Sequence, residues 1–389
     1  MKRRAETNET IGEADPKQIY AMVPFRSTYY GAHRSIGAVG VHGRATGGVR
    51  MSRLQYFLKR LALSVPVLFF GATLTFVIFR FGPLDPAAAI VGEAATEESR
   101  AEYMRVREQL GLEQPVGDHY REYMIDFFTF NLGQSWVLAP GTDVIDLLII
   151  YAPRTMWLAF WAVLIPIFVG IPLGVYAGLH SNTYGDYAAS LFGIIWRGMP
   201  NFWLGIILLA VLSQSEALIG FNWNRFLVET SVTGTPDLSN LASPTGFLAA
   251  TKQVLPAAVV LGSASMGSEL RIARTAVLET INSNYVETAT ANGVSRRSLV
   301  WKHVLRNSMI PLVPTITNEA FLLIGGSVIV EVVFGINGIG WLFFQAAVNG
   351  DLPLVTALVF VFIVVVVCIN LLQDLLYVLI DPRVGYGGK

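Results

Sequence analysis

Six stretches of the chain are apolar enough to cross a bilayer, and charged or polar segments separate them. A helix needs about 20 mainly apolar residues to span the hydrocarbon core. Leu61 to Phe79 is uncharged and bracketed by Arg60 and Arg80, which predicts a first span near 59–80. The uncharged run Thr155 to Leu179 predicts a second, 155–179. A third, near 187–213, is interrupted by Arg197 and Pro200, and the proline predicts a kink. The fourth is short, because Val254 to Ser268 ends at Glu269; it is placed near 254–272. The fifth, near 309–331, contains Glu319, and the sixth, near 352–378, is uncharged from Leu352 to Gln373. The predicted class is an all-α integral membrane protein with six transmembrane helices.

The first fifty residues carry no sustained apolar period, so 1–50 is predicted to be a disordered extension and 51–389 the membrane domain. No apolar h-region precedes Leu61, so this extension does not read as a secretory signal. Met51, followed by Ser-Arg-Leu-Gln-Tyr-Phe-Leu-Lys-Arg, reads as a suitable membrane-protein start, and translation is expected to begin there.

Composition agrees with the span pattern. Hydrophobic residues are 53% and charged residues 14% of the chain, against roughly a quarter charged in soluble domains. A net charge of zero gives no support to a nucleic-acid binder. The lone Cys368 excludes an intrachain disulfide and argues against a cysteine metal site.

Charge is sided. Residues 1–60 hold eleven Lys and Arg, and the segment 269–308 holds six against three Glu. The loop 81–154 holds five Arg against twelve acids. By the positive-inside rule the basic segments and both termini are cytoplasmic, and the 81–154 loop is extracytoplasmic.

The cytoplasmic loop 276–308 has internal structure. Ser283 can cap a short helix that Gly293 ends, and Ser295 can cap a second, with Leu299, Val300, Val304 and Leu305 as its apolar stripe. Pro311 then breaks the pattern. From the residues alone, insertion into a groove on a soluble partner and an amphipathic loop lying on the lipid surface stay equally open.

Glu287-Thr288-Ala289, with Gly293 four residues beyond, resembles the Glu-Ala-Ala-x-x-x-Gly signature of permease subunits of binding-protein-dependent ABC importers, with Thr288 in place of the first alanine. His303 to Pro311, with its late proline, resembles the dipeptide/oligopeptide/nickel branch. So do Arg80-Phe-Gly-Pro-Leu-Asp-Pro86, Leu110-Gly-Leu-Glu-Gln-Pro115, Asn131-Leu-Gly-Gln-Ser135, Gly325-Gly-Ser-Val-Ile-Val-Glu331, Phe334, Gly338-Ile-Gly340 and Asp381-Pro-Arg383. The resemblance covers about residues 51–386. It implies a type I ABC importer permease-like fold with a cytoplasmic coupling helix. It also implies a heterodimer with a sister permease, two cytoplasmic ATPase subunits and an extracytoplasmic solute-binding protein. ATP and Mg would sit on the ATPases, with no cofactor on this chain, and the solute would be a peptide, nickel, a sugar or similar. The ATPase-coupling residues it implies are Glu287, Thr288, Ala289, Gly293, Arg297, His303, Arg306, Asn307 and Pro311. Arg296, Arg297 and Arg306 either meet acids on the ATPase or are solvated inside positives.

No Gly-x-x-x-x-Gly-Lys-Ser/Thr loop, His-Glu-x-x-His or Gly-x-Ser-x-Gly occurs in the chain, which sets ATP hydrolysis on other subunits and argues against protease and hydrolase readings. Arg197 and Glu319 lie about ten residues into their spans, where a charge is expensive unless paired or hydrated. With Pro200 they are the expected translocation-path residues, possible only if the spans are correctly registered. Glu269, Arg271 and Glu331, at span ends, are expected to be interfacial. The outer segments 81–154, including the charged helical stretch Glu97 to Leu110, and 335–350 are expected to meet the binding protein. Two other classes remain: a stand-alone secondary transporter, which should show an inverted repeat that is not seen, and a structural membrane protein.

Overall fold

The computed structural model describes residues 53–92, 96–226, 236–239, 241–312, 315–316 and 327–380. Within them the regular structure is helical, with one isolated antiparallel bridge between Gln134 and Asp143. The predicted extension 1–50 and Glu319 lie outside the described residues, as does most of the predicted fifth span.

Four helices are long and apolar enough to cross a membrane: Phe57–Phe81, Val144–Leu179, Pro244–Ile281 and Leu352–Leu375. Two helix pairs meet the same test only together. Tyr184–Arg197 and Asn201–Ser213 meet at 100°, and Ser327–Phe334 and Ile339–Val348 at 85°. Six spans result if each bent pair is counted as one.

The bounds differ from the sequence reading for physical reasons. The second span begins at Val144 rather than 155, because Arg154 does not end the helix: its Nη1 donates to Asn337 O at 3.2 Å. Met199 and Pro200 turn the third segment far more sharply than a proline kink, since Gly198 closes the first helix on Ile194 and Ile195 carbonyls and Pro200 has extended backbone. The fourth helix is the longest described, running from Pro244 to Ile281 straight through Glu269. Residues 276–281 of the predicted coupling loop therefore belong to this helix.

This long helix is the centre of the molecule. It packs on the second span, on Tyr184–Arg197 and on Asn201–Ser213, while the first and last spans pack on each other. Small residues let the backbones approach, as in membrane helix pairs generally. A Cβ on Gly174 would collide with the carbonyl oxygen of Leu270 and meet Ala273 Cβ at 2.7 Å. One on Gly262 would collide with the carbonyl oxygen of Ala162. Around these contacts Leu158, Ala162, Val254, Ala258, Leu261 and Phe334 form the main core. Between Ala162 and Gly174 the second span makes a wide π turn, Pro166–Gly170, as expected where a proline withholds its N–H from the helical ladder.

A module of short helices lies between the first two spans in the chain. Asp85 caps Pro86–Val91, and Thr96 and Ser99 form a reciprocal capping box at the start of Glu97–Gln109. The helix Val116–Phe128 follows, packing Met124 and Phe127 on Ala72 and Phe360. His119 is buried there edge-on to Phe76, with ring centroids 5.2 Å apart. Burial first, and the charge of Arg80 second, hold its imidazole below the ordinary histidine range. Its charged form is thus favoured in the unfolded chain, and its contribution to stability is full above about pH 6.5 and drains as pH falls below that. Protection factors across 116–128, corrected for the intrinsic exchange rate, should fall between pH 6.5 and 5, and His119→Gln should remove that slope.

Candidate functional site: the docking segment and the helices it holds

The chain leaves the long helix at Asn282 and forms two short helical stretches. The first is Asn284–Ala291. The second runs without a break through Arg296–Ser298, a π-helical Leu299–Leu305 and Arg306–Ser308. Gly293 joins them with φ +78°, and Val294 N closes the bend on Ala289 O at 3.2 Å. That conformation costs a side-chain-bearing residue free energy and glycine none. Ser283 and Ser295 hold the N-cap positions as expected, yet neither side chain caps; the Ser283 hydroxyl donates to Thr280 O at 2.6 Å instead.

The two stretches are seated on the membrane helices by valines. Val286 and Val304 are buried against Val277, with Val175, Leu179, Ile281 and Leu299 around them. Val175 and Leu179 lie at the C-terminal end of the second span and Val277 and Ile281 at that of the long helix, so Leu299 and Val304 of the predicted stripe pack against the membrane helices. The opposite face is open: Glu287, Thr288, Gly293, Arg296, Arg297, Arg306, Asn307 and Pro311 are exposed, Ala289 and His303 partly so. Asn307 Nδ2 donates to Tyr285 Oη at 2.9 Å and to His303 O at 3.0 Å, bracing one stretch on the other. Of the predicted coupling residues, seven are exposed and Ala289 and His303 half-buried, and Asn307 ties the two stretches together.

An ion pair with a buried carboxylate and a partly exposed guanidinium extends the same body. Arg274 Nε and Nη2 donate to Asp186 at 2.6 and 2.8 Å, and Asn182 N donates to the same carboxylate at 2.9 Å. Asp186 is fully buried at the start of Tyr184–Arg197 and Arg274 lies on the long helix, so the broken third segment is tied to the helix that carries the docking stretches. Replacing Arg274 by Met strands a buried carboxylate. A loss of roughly 2–4 kcal/mol is expected, read as a lower thermal midpoint of the purified protein, with a smaller loss for Arg274→Lys.

Of the sequence-predicted path residues, Glu319 lies outside the described residues. Arg197 ends its helix at the sharp bend and is exposed, with its Cβ beside Gly267; Pro200 starts the next helix. Glu269 and Glu331, expected at interfaces, are instead fully buried. Glu331 accepts from Thr155 Oγ1 at 2.8 Å and Trp341 N at 2.9 Å, and Thr155 Oγ1 accepts from Ile339 N at 2.8 Å. This fastens the 335–350 segment to the second span. At that segment's far end the buried Asp351 accepts from Ser135 Oγ at 2.6 Å and from the amides of Trp136, Val137 and Leu138 at 3.0–3.1 Å. Asp186, Arg274 and Asp351 were not among the predicted site residues. Their signal was an acid or base standing alone beside an apolar run, and only the fold supplies the partner.

An all-helical body with four helices long and apolar enough to cross a membrane, and a two-stretch segment exposed on one side, defines a multi-pass membrane protein. Residues 170–386 match the family described as binding-protein-dependent transport system inner membrane component, and residues 53–137 match its N-terminal family. The chain belongs to this family, and it is a permease subunit rather than a stand-alone carrier or a structural membrane protein. It is 35% identical over 330 residues to a Brucella suis biovar 1 protein named for a peptide transport system permease, covering 85% of this chain and 98% of that one. It is 29% identical to the oligopeptide transport system permease protein AppB of Bacillus subtilis, over 85% and 99% of the two chains. A weaker likeness, TM-score 0.46 at 18% identity over 61% of this chain and 97% of the other, is to an inward-facing structure of the MetNI methionine ABC transporter.

Proposed function

We propose that this chain is one of two permeases in an ATP-driven importer for peptides or a similar small solute, and that its docking segment, 284–308, sits in a cleft of a cytoplasmic ATPase subunit. A sister permease, two ATPases that bind and hydrolyse ATP with Mg, and an extracytoplasmic binding protein complete the assembly, with both termini of this chain cytoplasmic. The observation that carries the reading is the two-sided segment: valines anchor it to the second span and the long helix, while Glu287, Arg297 and Asn307 face outward. The peptide class rests on the names of the relatives.

Displacement of the segment by a closing ATPase pair would act directly on Val175 and Leu179 of the second span and Val277 and Ile281 of the long helix. Close backbone packing at Gly174 and the Asp186–Arg274 pair make those elements move together. Packed elements of this kind switch between discrete arrangements rather than deforming smoothly. The test is co-expression with the neighbouring transport genes. An ATPase should co-purify with this chain, and reconstituted vesicles should accumulate labelled dipeptide only with ATP and binding protein. Uptake without an ATPase, or purification of the chain alone under conditions that preserve the complex, would count against the reading.

A further inference from the structure

Two levels of charge bound the apolar body of the first and last spans. At one end Arg60 and Asp374 pair at 3.2 Å; at the other stand Arg80 and Asp351, where Phe79 and Leu352 share one cluster. The helix rises about 30 Å from Arg60 to Arg80, the thickness of a bilayer's hydrocarbon core.

The helix Val116–Phe128 descends between these levels. His119, near its start, meets Phe76 and Phe79 edge-on. The hydroxyls of Tyr120 and Tyr123 hydrogen-bond to those of Thr73 and Thr75 at 2.8 Å, the kind of polar pairing that joins helices within membranes. Phe127, near the end, packs on Ala72 and Phe360. By helical rise, Ala72 lies about 12 Å below Arg80 and Phe360 about 13 Å below Asp351. Half of a hydrocarbon core is about 15 Å, so the end of this helix reaches most of the way through one leaflet.

The face turned away from the spans changes character along the descent. Asp118, Arg121 and Glu122 are exposed first; Ile125, Phe128 and Phe130 follow, 54%, 46% and 59% exposed. Polar groups at the tip are satisfied locally. Asn131 N donates to Asp126 O at 2.9 Å and Phe130 N to Phe127 O at 3.3 Å, a Schellman closure. The Thr129 hydroxyl donates to Ile125 O and Asp126 O at 2.9 and 3.1 Å. Phe130 holds the left-handed position of this closure, φ +60°, where glycine is usual and a larger residue is strained. The strain is kept at a residue whose ring stands largely in the open, 6.4 Å from that of Phe360. Asp126 lies on the flank, half-buried and bonded to Asn131 Nδ2 at 3.1 Å, beside a hollow of about 180 Å³ with room for water.

Lipid tolerates only backbone whose polar groups are satisfied internally, which this closed helix end provides. Interfacial helices keep charged groups at headgroup level and bury aromatic and branched side chains beneath. We propose that the end of this helix, with Ile125, Phe128 and Phe130, is inserted among the acyl chains of the leaflet at the Arg80 end, the outer leaflet in the topology proposed above. Part of the 81–154 segment then lies within the bilayer, and the short helices before the second span are anchored to lipid as well as to the first and last spans. The assignment is independent of the transported solute.

The test couples a nitroxide through p-acetylphenylalanine at 118, 122, 125 or 128 of the full-length chain. The chain is co-expressed with the neighbouring transport genes and placed in vesicles of phosphatidylethanolamine and phosphatidylglycerol. Collision with dissolved oxygen marks hydrocarbon, and collision with a polar nickel chelate marks water. Because hydrocarbon excludes the chelate, the oxygen-to-nickel ratio should be roughly tenfold higher at 125 and 128 than at 118 and 122. Phe130→Asn relieves the strain, since asparagine tolerates the left-handed region, and removes the ring; the ratio at 128 should fall while the thermal midpoint is held. Nickel access at 125 and 128 equal to that at 118 overturns the proposal in favour of a water-filled path. Access by neither reagent overturns it in favour of a protein cover such as a sister permease. A ratio at 128 that Phe130→Asn leaves unchanged overturns the part given to Phe130. The same readings hold if the chain purifies without an ATPase, so failure of the importer assembly and failure of the insertion are told apart.

Discussion

Replacing Gly174 with leucine is expected to leave little folded protein in the membrane. The first side-chain carbon would collide with the carbonyl oxygen of Leu270, a backbone atom that no rotamer change can move aside. Overpacking a well-filled core costs typically 1–3 kcal/mol when side chains give way. Here the second span and the long helix must separate instead, and the cost is expected to be about 3 kcal/mol or more, a large share of a membrane domain's margin. The same separation would loosen Val175 and Leu179 from the docking segment. Gly117 is the control: it has open space around its would-be Cβ and no left-handed backbone, so Gly117→Leu should be nearly neutral. Detergent-resistant monodisperse protein, measured by size-exclusion chromatography, separates the two; a normal yield of Gly174→Leu would refute the close-packing account.

Gly293→Val is expected to behave in the opposite manner, leaving the membrane body intact and abolishing transport. Gly293 is exposed and has nothing within reach of a Cβ, so the cost is confined to its φ of +78°. A β-branched residue held in the left-handed region costs of order 1–3 kcal/mol, which the chain avoids by opening the bend. The two docking stretches would then lose their mutual angle, and with it the surface formed by Glu287, Arg297 and Asn307. ATP-driven uptake should fall at least tenfold with unchanged protein level and thermal midpoint. Gly293→Asn should retain most activity, because asparagine tolerates this conformation. Equal loss in both variants would point to the missing glycine itself rather than to the bend.

Much of this organisation is legible in the sequence, and the limits have a common cause. Hydropathy is local, so the clear apolar runs at 61–79, 155–179 and 352–373 each fall within long helices. Glycine chemistry is also local, which is why the Gly293 bend and its two flanking helices follow from residues 283–308 alone, although neither Ser283 nor Ser295 makes the expected cap bond. Charges inside helices were misjudged because their partners are distant in sequence. Arg154 seemed to end a helix, yet its acceptor is Asn337, 183 residues away. Glu331 seemed interfacial, yet Thr155 and the Trp341 amide receive it in the interior. Asp351 carried no motif at all, and its ligands are amides whose availability depends on the turn of 135–138. The bend at Pro200 was legible as a break but not in its size, because a proline in the sequence sets no angle for the helix that follows.

The central claim is that the outward face of 284–308 meets an ATPase subunit and passes its movement to the second span and the long helix. Site-specific photo-crosslinking tests it most directly. A benzoylphenylalanine placed at Asn292, exposed beside the bend, should join this chain to an ATPase subunit when the assembled importer is illuminated, with adduct yield changing on addition of ATP. The same group at Ile125, exposed on the outer helix, should give no such adduct. An assembled, transporting complex that yields no ATPase adduct from Asn292 or its neighbours would contradict the account.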